Sequence, residues 1–153
     1  MNEQIKTGII SAANEAGFVA EFSEENSLFT FTESDSGISI TSVFQGEDDD
    51  ETSILYNQMS VGVIPESQVS VNPRSVINLL IGATNGISTS SFQTIDTDDG
   101  DLQVLLNNYA PIQDMGQDDI EDIKFTLTSL IADLFAAHDM LAPYMSEAQT
   151  HGC

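Results

Sequence analysis

The chain has 153 residues (16.5 kDa) and is 41% hydrophobic, enough for one core, while 25 acidic residues face only Lys6, Arg74 and Lys124, a formal charge of −22. Three scattered cations cannot replace the counterions of a nucleic acid or hold an anionic membrane surface, so neither partner is expected. No apolar run approaches the roughly 20 residues of a membrane span, no signal-peptide pattern opens the sequence, and the lone Cys153 excludes a disulfide framework or a thiolate metal site.

Ile5, Ile9, Ala12, Ala13 and Ala16 recur at helical spacing, which predicts a helix over 3–16, ended by Gly17 in a left-handed cap. Short strands are expected at 18–22, 27–33 (Phe29 and Phe31 on one face) and 38–44, with turns at 23–26 and 33–37. The acidic run 46–51 is too densely like-charged to bury and reads as a solvated loop. A fourth strand over 53–61 contains Ile54 and Tyr56, and Val63-Ile64-Pro65 leads away from it.

Asn72-Pro73 is an N-cap followed by a proline at the first helical position, which starts a helix over 73–84. Strands at 88–95 and 101–109 form a hairpin around 96–100, closed by Pro111. A final helix over 118–142 begins with the capping-box pattern Asp118-x-x-Glu121 and carries Ile120, Ile123, Leu127, Leu130, Leu134 and Leu141 in one stripe, with Pro143 as its stop. Leu127, Leu130 and Leu134 are expected against the sheet. Turns of hairpin length make the sheet mostly antiparallel with helices on one face, an α+β domain over 1–145 with a loose tail at 146–153.

No catalytic constellation emerges. The turn at 96–101 lacks the Gly at position six and the Glu at position twelve of an EF-hand, and no serine sits in a Gly-x-Ser-x-Gly setting. His138 has no second ligand at metal spacing. No catalytic, cofactor-binding or metal-ligating residue is assigned, and a non-enzymatic cytoplasmic protein is expected. The acidity itself has three open readings: adaptation to a saline cytoplasm, attraction of a basic partner, or solubility.

The stretches Ser75-Val76-Ile77-Asn78-Leu79-Leu80, Asn85-Gly86, Phe92-Gln93-Thr94-Ile95-Asp96 and Gly100-Asp101-Leu102-Gln103-Val104, in this order of elements, resemble the YbjN-domain proteins and class I type III secretion chaperones. The likeness covers residues 3–142. It implies a bacterial, often dimeric protein that works by binding, with the secretion chaperones holding an extended cargo segment on apolar patches. A chaperone-like or adaptor module for a protein or peptide partner, a basic one among the candidates, follows, with a stand-alone regulatory domain as the alternative. Helix 73–84 is apolar nearly all round, which predicts a homodimer through it unless loop 62–72 covers it. Val76, Ile77, Leu80 and Ile81, with Ile54 and Tyr56, form the expected partner or dimer surface.

Overall fold

Gly17 ends the first helix in the left-handed backbone region, at φ 93°, as its lack of a Cβ allows. The computed structural model describes residues 1, 3–46, 53–71 and 90–145. Its elements are α1 (Glu3–Glu15), β1 (Phe18–Ser23), β2 (Leu28–Glu33), β3 (Ser39–Gln45), β4 (Ser53–Ile64), α2 (Glu66–Val71), β5 (Ser91–Asp96), β6 (Leu102–Ile112) and α3 (Gln117–Met145). The fold is α+β, with six strands in the order β1-β2-β3-β4-β6-β5 and every described strand pairing antiparallel. The helix expected at 73–84, with Val76, Ile77, Leu80 and Ile81, lies outside the described residues, as do the acidic run 47–51 and the tail 146–153.

The chain divides into two compact units, Met1–Met59 with Asn108–Ile131, and Ser60–Asn107 with Ala132–Cys153. In the first, strand alternation sends Phe29, Phe31, Ile40, Leu55, Ala110 and Ile112 to one face, where they meet Ile9, Ala12 and Ala13 of α1 and Ile123, Leu127 and Leu130 of α3, all buried. Among them lies a polar chain. Ser42 Oγ donates to Asn57 Oδ1 (2.5 Å), Asn57 Nδ2 to Asn108 Oδ1 (3.0 Å), and Asn108 Nδ2 to the Thr126 carbonyl (2.7 Å). It ties β3, β4, β6 and α3 together, and no buried side-chain polar atom among the described residues lacks a partner.

In the second unit, Val61, Ile64, Val104, Leu105, Leu106, Leu134, Ala137 and Leu141 are buried. Ser90 Oγ donates to Asp133 Oδ2 at 2.7 Å, and Asp101 Oδ1 accepts the Glu66 N–H at 2.8 Å at the start of α2. That short helix occupies part of a segment read from sequence as loop.

Several boundaries differ from the sequence reading. β4 runs on to Ile64, so Val63 and Ile64 belong to the strand rather than leading away from it. The capping box is not Asp118-x-x-Glu121. Gly116 provides the first helical carbonyl, accepting from the Ile120 N–H, and Asp119 Oδ2 reaches back to the N–H groups of Gln113, Asp114 and Met115 at 2.8–2.9 Å. Met115, in the left-handed region at φ 56°, turns the chain so that the helix starts earlier. Pro111 does not close the hairpin, because β6 continues to Ile112; β5 pairs only as far as Asn107, and past that point a proline breaks no ladder with β5. Pro143 does not stop α3, which runs to Met145; so near the helix end it removes one hydrogen bond, to the carbonyl of an exposed Asp139.

An 18-residue window of α3 reaches a mean hydropathy of 1.2, so by length and composition α3 could cross a bilayer, which the sequence reading did not expect. The apolar positions are interrupted by Thr126, Thr128, Ser129, Asp133, His138 and Asp139 rather than forming one run. In this fold 39% of that window is buried, including Leu127, Leu130, Ile131 and Leu134.

Candidate functional site on the open face of the sheet

The same alternation that buries one face of the first unit's strands sends every other side chain to the opposite face. On β4 the outward residues are Ile54, half-buried, and Tyr56, 41% exposed, both singled out from sequence. Register places Val43 of β3 opposite Tyr56 and Gln45 opposite Ile54. From β6, Tyr109 joins them at 59% exposure, its ring centroid 6.1 Å from that of Tyr56 and the two planes inclined by 51°. Val43, Ile54, Tyr56 and Tyr109 therefore make one apolar and aromatic patch.

Beside it runs a hydroxyl-rich area. Gln58 pairs with Thr41, Thr41 with Thr30, and Thr30 with Glu21, while Thr32 pairs with Ser39 and their hydroxyls lie 2.8 Å apart. Val19, 56% exposed on β1, ends the face. Such a surface offers rings and methyls for apolar contact with hydroxyls for adaptable hydrogen bonding, a composition suited to binding another chain.

The interior explains why the two tyrosines meet. Asn57 follows Tyr56 and Asn108 precedes Tyr109, so when the amides pair beneath the sheet at 3.0 Å the rings must lie side by side above it. A slip of one residue would reverse both faces. Tyr109 was absent from the sequence-based surface. Its signal was there, since it falls on the opposite phase to Val104 and Leu106 of the same strand.

Two depressions lie elsewhere in this unit. A cleft of about 310 Å³ is lined by Met1, Glu3, Lys6, Phe22, Glu24 and Phe44 among others. Within it the Lys6 ammonium sits 4.7 Å from the Phe22 ring centroid and 3.5 Å from Glu24 Oε1. A shallower groove runs along Gln4, Thr7, Gly8, Ser11, Met115 and Ile120. His138 is exposed on α3, and the described residues contain no group of three or more His, Cys, Asp or Glu placed to hold a metal.

YbjN from E. coli, a proposed transcription regulator, matches with a TM-score of 0.56 over 95% of this chain and 95% of its own, at 10% identity. The fold is YbjN-like. No family model matches the sequence, and no curated protein does. At so low an identity the YbjN-like architecture is what the two chains share. The resemblance read from 75–80, 85–86, 92–96 and 100–104 thus pointed to the right fold.

Proposed function

We propose that this YbjN-like chain is a non-enzymatic protein-interaction module that holds an extended segment of a partner protein across the open face of its sheet. The observation that carries this reading is the patch of Val43, Ile54, Tyr56 and Tyr109, with its two tyrosines 41% and 59% exposed on a chain of net charge −22. Exposed aromatics on a hydroxyl-bordered sheet face support binding of another polypeptide better than enclosure of a small substrate. A dense negative field steers basic segments towards the protein and keeps nucleic acids and anionic membranes away. The chaperone-like or adaptor role, cytoplasmic location and homodimer read from sequence belong to the same proposal.

The alternative role of regulator draws support from the description of E. coli YbjN. For a chain this acidic, regulation would act through a protein partner rather than by direct contact with DNA.

The test is a binding screen of short, unstructured, basic-to-neutral peptides against the parent and a Val43→Ser, Tyr56→Ser double variant. Binders to the parent that weaken at least tenfold on the variant are expected. Equal binding to both, with the variant folded by circular dichroism, would place the partner site elsewhere.

A further inference from the structure

We propose that the Tyr56–Tyr109 pair is a seat for a guanidinium, so that the partner segment is anchored by an arginine. This rests on the reading of the open sheet face as a partner site and adds the chemistry of its anchor. The two rings are not stacked face to face. Their planes are inclined by 51° with centroids 6.1 Å apart, and Tyr56 and Tyr109 keep 41% and 59% of their surface exposed. A cation resting on an aromatic face within about 6 Å of its centroid is attracted by the ring quadrupole.

The chain already shows this preference internally, for the Lys6 ammonium rests 4.7 Å from the Phe22 centroid beside Glu24. Among the described residues, however, no cation of the chain is placed at the tyrosine pair. Lys6 is committed to Phe22 and Glu24, and Lys124 lies 3.8 Å from Glu121 on α3.

Charge decides between the possible occupants. A second copy would bring another −22 charges to the face and, from its own matching patch, tyrosines rather than cations. A basic segment meets a field of opposite sign. Arginine suits the site better than lysine, because its planar guanidinium stacks on a ring while its several N–H donors reach the phenol oxygens and neighbouring hydroxyls. Val43 and Ile54 then receive the apolar side chains that flank the arginine in the extended segment.

The experiment titrates the protein, at moderate salt and with the tyrosine and isoleucine resonances followed by NMR, with two synthetic peptides. One alternates serine and valine around a central arginine; its twin carries citrulline, which keeps the shape and lacks the charge. The arginine peptide should bind about fivefold more tightly and shift the Tyr56 and Tyr109 ring signals. That preference should vanish in a Tyr56→Leu, Tyr109→Leu variant and persist in the corresponding Phe variant, which keeps both rings.

Equal binding of the two peptides at the face would overturn the arginine seat and leave the open-face reading standing. A preference that survives in the Leu variant would also overturn it, by showing that net charge alone selects the peptide. If neither peptide shifts the face, or if the parent self-associates through it, both readings fall.

Discussion

Asn57 is the position at which one substitution tests how the first unit is held together. It is 1% exposed and is the middle of the buried chain from Ser42 to Asn108 and Thr126. Asn57→Ala leaves the Ser42 hydroxyl without its acceptor and the Asn108 carbonyl oxygen without its donor. Thr126 loses only a long 3.4 Å contact and keeps its 3.0 Å bond to the Ile123 carbonyl. Two buried groups stranded at about 1–3 kcal/mol each, plus a small cavity, predict a loss of about 3–5 kcal/mol. Ser42→Ala strands a single acceptor, Asn57 Oδ1, and should cost about 1–3 kcal/mol. The double variant should be less destabilised than the sum, by about 0.5–3 kcal/mol, because the groups removed are each other's partners. Urea unfolding followed by far-UV circular dichroism measures all three. An Asn57→Ala variant within about 1 kcal/mol of the parent, with strictly additive effects, would refute the view that this chain of amides and hydroxyls holds the strands to α3.

Asp119→Ala removes one carboxylate oxygen that accepts three backbone N–H groups, and a thermal melt should show a loss of about 2–4 kcal/mol, with Asp119→Asn losing less because a carbonyl acceptor remains. Gly8→Ala should be neutral or stabilising by up to about 1 kcal/mol in the same assay, since the new Cβ would crowd only Met115 Cε, the far end of a flexible side chain, and meet its Cγ and Cβ at ordinary contact distance, while the helix gains a better former. A clear drop in melting temperature would show Met115 to be rigidly held. Leu127→Ala and Leu130→Ala, at fully buried positions, should each cost about 2–5 kcal/mol in urea unfolding. Light scattering at micromolar concentration should find a species of twice the 16.5 kDa chain if the expected homodimer forms, and a 16.5 kDa species would end that idea.

Much of the architecture was legible because periodicity and turn chemistry agreed. Leu127, Leu130 and Leu134 are buried as their spacing required, and Gly17 and Gly37 take positive φ where a cap and a turn were expected. Prolines misled, since Pro111 and Pro143 were read as stops. A missing N–H matters only where the lost bond cannot be replaced, and past the end of the β5 ladder or in a last helical turn little is lost. Asp119 was hidden in a run of acids whose composition does not say which carboxylate turns inward. The patch was half visible: Ile54 and Tyr56 follow from alternation on one strand, but their meeting with Tyr109 depends on β4 lying next to β6, a long-range neighbour relation that no local pattern encodes.

The buried amides carry one more implication, because their hydrogen bonds all point the same way. Each group from Ser42 to Asn108 donates to the next, ending on the Thr126 carbonyl. Replacing Asn57 by aspartate changes a single atom, yet it swaps a donor for an acceptor that would face Asn108 Oδ1 in a site 1% exposed. Spontaneous deamidation, harmless on a surface, would here set two oxygens against each other and put a negative charge into the core. A chain carrying aspartate here would therefore fold less stably than one in which the amide has survived intact.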